Sequence, residues 1–276
     1  MNARSRWLLG LWFLLLSPIR VGAQSYDSEL QLGIAAYRDN HYGEAIQHFR
    51  RASELDPSQS TAHLYLATTY MRQYIPGAPA PDNQRIAGQA IEQYQLVLNS
   101  TPPPGARIDS LKGIADLFLN LKNFEESREY YQMASDLDPQ DAENYFSLGV
   151  LVWTQCYQSR MQARAKIPIR AEEQLNAADP QQKRVCEELR AENASPIEDG
   201  IRNFERAVEL RPDYDDAMAY LNLMYRERAD LDCEDPAGRR RDLGTADQWV
   251  DKTLAVKKAR ARIGSPPPAP TEPNPQ

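Results

Sequence analysis

Apolar and small residues recur along this chain at helical spacing, and the blocks they form repeat. The skeleton Leu32-Gly33, Tyr42, Ala45, Phe49, Ala52, Leu55-Asp56-Pro57 returns as Ile114-Ala115, Phe124, Ser127, Tyr131, Ala134, Leu137-Asp138-Pro139. It returns again, split, as Leu148-Gly149 and then Ile201, Phe204, Ala207, Leu210-Arg211-Pro212. A weaker copy has Leu66-Ala67, then Ala90, Tyr94, Val97 and Pro102. Apolar positions three and four apart predict amphipathic helices, taken in pairs. Small residues in the middle of each first helix (Gly33, Ala67, Ala115, Gly149) face small residues early in each second one (Ala45, Ala90, Ser127, Gly200). Small against small lets antiparallel helices approach closely, and an aromatic (Phe49, Tyr94, Tyr131, Phe204) fills the space beside them. Proline then ends the second helix and opens the joint to the next pair.

The spacings separate what is fixed from what is free. From small residue to proline is 24 positions in the first and third copies (33 to 57, 115 to 139), but 35 in the second and 63 in the fourth. From proline to the next copy's small position is 10 in three cases (57 to 67, 139 to 149 and 212 to 222, the last held by Asn222) and 13 once. Joints between pairs are therefore nearly constant, because they set the stacking, while turns within pairs accept insertions.

These residues resemble the tetratricopeptide repeat family, over roughly residues 26 to 262. The resemblance implies an all-α, right-handed superhelical solenoid of about five antiparallel helix pairs, with a concave groove lined by the first helices. A fifth first helix, Asp216 to Arg226, continues the pattern with Leu221 and Tyr225. Its partner, Ala246 to Arg262, departs from it by lacking the terminal proline and ending in cations, as a capping helix does. The groove positions implied are Leu30, Ile34, Tyr37 and Arg38, then Leu64, Thr68, Met71 and Arg72. Lys112, Asp116, Leu119 and Asn120 follow, then Phe146, Val150 and Trp153, and last Ala219, Leu223 and Arg226. Family members that grip a C-terminal carboxylate use Lys, Asn and Arg where this chain has Leu30, Ile34, Leu64 and Thr68. That mode is not expected here. An apolar groove suits an amphipathic helix or an extended apolar peptide.

Three insertions interrupt the pattern, at about 74–84, 155–196 and 230–242. The first is a proline-rich loop. In the second, Pro168 and Pro180 divide two expected short helices, Arg170 to Ala177 and Gln182 to Ala194. All three fall in turns, so they are expected on one edge of the superhelix, either as a functional lip or simply where a rigid array tolerates them.

The ends add a compartment. Arg4 and Arg6 precede an apolar run from Trp7 to Leu16, Pro18 breaks it, and Val21-Gly22-Ala23 offers small residues for cleavage. Residues 1–23 read as a secretory signal peptide, leaving Gln24 first and the solenoid over 24–262. The rival reading, a retained anchor, is disfavoured because the run falls short of the roughly 20 residues a spanning helix needs. Residues 263–276 are proline-rich and read as a disordered tail, with a ligand for a proline-reading module as the lesser alternative. The formal charge of −7 becomes −10 without Arg4, Arg6 and Arg20, which disfavours nucleic acid as partner. Late cations at Arg239-Arg240-Arg241, Lys257, Lys258, Arg260 and Arg262 suit a solvated helix end, or contact with an acidic partner or anionic lipid.

In an oxidising compartment two of the three cysteines should pair. Cys156 with Cys186 is the expected bridge, since both belong to one excursion; Cys156 with Cys233 is the alternative, and three free thiols a third possibility. His41, His48 and His63 are expected as packing residues at a joint, and no zinc, haem, phosphate-loop or nucleophile-elbow pattern occurs. Carboxylates are expected scattered over solvated faces. The sequence thus predicts a non-catalytic protein–protein interaction scaffold of the cell envelope or secreted, with protein or peptide partners, no cofactor, no metal and no membrane span after cleavage. The alternatives are a spacer whose groove is self-filled, and an accessory subunit of an envelope assembly or secretion machine.

Overall fold

Proline punctuates both ends of the helices: Pro81, Pro104, Pro180 and Pro236 open four of them, and Pro57, Pro139 and Pro212 follow the C-caps of three. In a computed structural model describing residues 25–170 and 173–263, ten helices form among the described residues. They are α1 (Tyr26–Arg38), α2 (Tyr42–Leu55), α3 (Ser60–Gln73), α4 (Pro81–Asn99), α5 (Pro104–Asn120), α6 (Phe124–Leu137), α7 (Ala142–Arg164), α8 (Pro180–Leu210), α9 (Asp215–Leu231) and α10 (Pro236–Ile263). The expected signal peptide (1–23) and nearly all of the tail (263–276) lie outside the described residues. Ser25 caps α1 through a reciprocal pair of hydrogen bonds with Ser28, and Asp141 and Asp179 cap α7 and α8. At the joints, Asp56 and Asp138 use the same local turn: each Oδ1 accepts from the backbone N–H two residues on, at Ser58 and Gln140. The turns within the first and third pairs also match, with Asn40 and Lys122 both left-handed at φ 61° and 64°.

Each helix packs on its sequence neighbours, and the first helices also touch one another, α1 with α3, α3 with α5 and α7 with α9. That extra contact makes the first helices the inner, concave layer. The small residues do what their spacing predicts. A Cβ added to Gly33 would lie 2.5 Å from the Phe49 ring, and one on Gly149 2.6 Å from Phe204. Ser127 Oγ donates to Ala115 O at 2.8 Å, sealing the same crossing in the third pair. Tyr94 departs from the expectation: its ring lies over Gly113 of the following pair. Two cores result. One runs from Ala36 to Leu117 around Phe49, Tyr70 and Tyr94; the other runs from Ala115 to Leu231 around Tyr131, Leu189 and Phe204.

The second insertion lengthens α7 and α8 on either side of a loop where two short helices were expected, and the third lengthens α9 and α10. The expected helix Arg170 to Ala177 is absent from the described part of the segment, and Gln182 to Ala194 is only the first part of the 31-residue α8. Helix α8 runs on through Pro196, because Leu189, Asn193, Ile197 and Gly200 are buried on both sides of it and hold the axis where proline costs a hydrogen bond. Likewise α10 begins at Pro236, ten residues before the expected start.

The cysteine pairing is a second correction. Cys186 bonds to Cys233, with Cα atoms 6.5 Å apart, and Cys156 is the free, buried thiol. The extension of α8 carries Cys186 to the segment between α9 and α10, so its partner comes from the neighbouring insertion. Around the bridge, Lys183 pairs with Glu234 at 2.6 Å, and Arg190 donates to the Leu231 carbonyl. Deeper in, Arg160 meets Glu227 at 2.8 Å, and Arg164 and Arg239 converge on Asp230 at 3.2 and 3.1 Å. The second and third insertions therefore do share an edge. The first closes on itself, Asn83 bonding Ile75 and Ala78. Burial pushes the Cys156 thiol up to about 12, with Glu227 and Glu192 adding to the effect, so it is an unreactive packing group.

Candidate functional site

The concave layer places the sequence-predicted groove residues together, in three stretches of different character. At the N-terminal end, Leu30, Ile34, Tyr37, Thr68 and Met71 stay partly exposed. Arg38 and Arg72 stand at the rim; Arg72 Nε donates to Tyr37 Oη at 3.1 Å, and the Tyr37 ring meets Tyr42 and Tyr65 at 5.7 and 6.4 Å. Leu64 is a correction. It is only 4% exposed and belongs to the N-terminal core, because contacts of α3 with both α1 and α5 cover it. It offers nothing to a partner.

In the centre the groove turns acidic. Lys112 pairs with Asp141 at 2.9 Å, while Asp109, Asp116 and Glu143 lie close enough to feel the same charges. Burial raises the Asp116 carboxyl to about 6, against the opposing pull of a hydrogen bond from Tyr131 and of the Lys112 ammonium. Burial also raises Asp109. Leu119 packs against the C-terminal core, and Asn120 Nδ2 donates back to the Asp116 carbonyl at 2.8 Å. The carboxylates are thus gathered where scattered ones were expected. The sequence signal was present: Asp109, Lys112 and Asp116 share one helix face, and Asp141 and Glu143 begin the next first helix.

The C-terminal stretch is aromatic. Trp153 stacks on Tyr157 and meets Tyr220 edge-on, each at 5.2 Å between centroids. Phe146 contacts Tyr214, Tyr220 and Phe204 at 4.9, 5.5 and 5.9 Å. Val150, Ala219 and Leu223 are partly exposed, and Arg226 is tied to Asp247 at 2.7 Å. Tyr65, Tyr157 and Tyr220 escaped the sequence reading. Tyr157 was available to it, four residues beyond Trp153 on the same face.

The histidines go to local partners. His48 Nδ1 lies 2.7 Å from buried Glu29, and His63 Nδ1 lies 2.8 Å from Gln93 Oε1. Among the described residues no group of three or more His, Cys, Asp or Glu is placed to hold a metal, and no helix is long and apolar enough to cross a membrane.

Two family models, both described as tetratricopeptide repeat, match residues 30–102 and 112–141. No curated protein matches the chain in sequence. Similar solved structures include a crystal structure of MamA protein, at 13% identity and TM-score 0.57, aligned over 88% of this chain and 98% of that one. A second is MamA 41-end from Desulfovibrio magneticus RS-1, at 13% identity and TM-score 0.54, over 85% and 96%. A third is YrrB, described as a tetratricopeptide-repeat protein with an unusual peptide-binding site, at 15% identity and TM-score 0.51, over 84% and 91%.

Proposed function

Because the chain is a tetratricopeptide repeat protein, we propose that it is a non-catalytic scaffold whose concave face seats an amphipathic helix or an extended apolar peptide, outside the cytoplasm. The observation that carries this reading is the groove itself. It leaves Leu30, Ile34, Met71, Val150 and Leu223 partly exposed on the first helices, beside aromatic rings. The description of YrrB as peptide-binding supports the same use of the fold. The acidic centre, where Lys112 and Arg211 oppose four carboxylates, favours a ligand that is apolar at its ends and cationic in the middle. A self-filled groove is the weaker reading for the large insertion, since Ile167, Leu175, Val185 and Leu189 are committed to the C-terminal core. Export is supported by the N-terminal apolar run and by the Cys186–Cys233 bridge, which an oxidising compartment maintains.

Photo-cross-linking tests the groove. A photoreactive side chain at Ile34 or Leu223 should capture a partner in cells, and one at the outward-facing Leu96 should not. Adding Met71→Glu should abolish capture at Ile34 while leaving helicity unchanged. Equal capture at Leu96, or capture indifferent to Met71→Glu, rejects the groove as the binding surface.

A further inference from the structure

Each junction of the array sets the face of one second helix against the next first helix, and at each end of this array one leucine on such a face is left exposed. The residue before the small position of each first helix is Leu66, Ile114, Leu148 and Leu221 in the second to fifth pairs, and these are 2%, 0%, 6% and 0% exposed. In the first pair the same position is Leu32, and it is 51% exposed. At the other end, Leu254 lies eight residues after fully buried Ala246. Eight residues after Ala45, Ala90, Ser127 and Gly200 stand Ser53, Leu98, Ser135 and Val208; Leu98 and Val208 pack against the cores, Ser135 is buried and Ser53 half-buried. Leu254 is 59% exposed. The last helix is polar enough to cap the array, yet it keeps this one apolar residue at the position that meets a following pair.

Charge decides what covers these ends. Residues 236–263 carry eight Lys and Arg against three Asp, a net charge of +5; Arg239, Arg241, Lys257 and Arg260 pair with carboxylates of the same copy, and Arg240, Lys252, Lys258 and Arg262 are the exposed cations outside those pairs. Residues 25–235 carry 21 Lys and Arg against 35 Asp and Glu, a net charge of −14. Within that body the first pair, 25–58, holds three Arg against six Asp and Glu, a net charge of −3. Two first pairs facing each other would repel, and so would two copies of α10. The first pair and α10 attract. We propose that α10 of one copy docks on α1 of a second copy, continuing the solenoid across the molecular boundary with Leu254 and Leu32 buried at the new joint. An antiparallel approach brings exposed Lys258 and Arg262, at the C-terminal end of α10, beside exposed Asp27 in the first turn of the neighbour's α1. The helix dipoles oppose favourably in the same arrangement. Such a contact is heterologous, so it leaves one free end of each kind and grows without closing.

Sedimentation velocity of the full chain, with its N-terminus as the cell leaves it, tests the proposal through two variants, Leu32→Asp and Leu254→Asp. Both side chains are exposed in the single copy, so both variants should keep full helicity by circular dichroism. The weight-average mass of the parent should climb past dimer as concentration rises to about 100 µM, and fall back to monomer near 1 M salt. Each variant alone should stay monomeric. Their equimolar mixture should give a dimer and stop there, because only one intact end of each kind remains. A parent that is monomeric throughout, or that stops at a closed dimer, overturns the proposal. So does association of either variant alone, or a mixture that stays monomeric.

Discussion

From Tyr26 to Leu137 no helix exceeds 19 residues, and the pairs are held by small-residue crossings, a serine bond and short turns. From Ala142 to Ile263 the helices run to 23, 31, 17 and 28 residues and are stapled by a disulfide and a buried set of arginines and carboxylates. The family models match only the first region, yet the fold similarity spans 88% of the chain. What persists across both regions is the crossing of Gly33 with Phe49 and of Gly149 with Phe204, together with the proline joint. The lengthened part of α8 buries Val185, Cys186 and Leu189 in the C-terminal core beside the segment between α9 and α10. The bridge and the Arg160, Arg164 and Arg239 pairs add cross-links that the first region lacks among its described residues.

Breaking the staple should separate the two regions most sharply. Replacing Cys186 and Cys233 with serine removes a link across a sequence separation of 47 residues. Loop entropy for that length is worth about 4 kcal/mol. Hydrogen exchange should accelerate in α8, α9 and α10, while α1 to α6 keep their protection, since in a repeat array each pair draws stability chiefly from its neighbours. Uniform acceleration along the chain would show that the two regions unfold as one unit.

What could be read in advance divides along the same line. The joints were legible because their chemistry is local: Asp56 and Asp138 bond their own turns, and the following prolines fix the backbone. The groove positions were legible as offsets from Gly33 or Gly149, but their exposure was not, since it is set by packing between helices distant in sequence, which buries Leu64 in the N-terminal core and leaves Met71 partly exposed. The partner of Cys186 was not legible at all. It depends on α8 continuing through Pro196, and that follows from burial of Leu189 and Ile197 by other helices, against the local preference. The acidic centre was missed for a related reason. Asp141 reaches Lys112 across a joint, 29 residues away in sequence.

Asp116 lies where the two cores meet, between Ala115 of one and Leu117 of the other. Its carboxyl titrates at about 6 in the folded chain because burial disfavours the charge. The folded state therefore holds the proton more tightly than the unfolded chain, whose carboxyl keeps its ordinary value near 3.8. The stability tied to this group is complete below that ordinary value and is lost as pH rises through the folded one. Asp116→Asn removes the penalty, and its amide oxygen still accepts from Tyr131. At pH 7 the variant should be more stable by up to about 3 kcal/mol, with the advantage gone by about pH 4. Denaturant titrations of parent and variant across that range measure the difference. A constant gap at every pH would show that no buried charge is at issue at the boundary.

The smallest effect belongs to the N-terminal region alone. Lys122 holds φ at 64° in the turn between α5 and α6, as Asn40 does between α1 and α2. A left-handed residue with a Cβ is strained by roughly 1 kcal/mol, and asparagine tolerates the conformation better than lysine. Lys122 is exposed, so glycine there removes strain without opening a cavity. The greater freedom of glycine in the unfolded chain offsets part of the gain. Lys122→Gly should therefore stabilise the protein by about 0.5 kcal/mol, and Asn40→Gly by less, each read as a shift in denaturant midpoint at constant slope. The turns of the last two pairs have no equivalent position among the described residues, because their insertions replace the three-residue turn with longer helices and the α7–α8 loop. A destabilised Lys122→Gly would mean that the lysine side chain supports the turn in some way beyond its backbone angle, and that the first and third turns are alike in shape but not in cause.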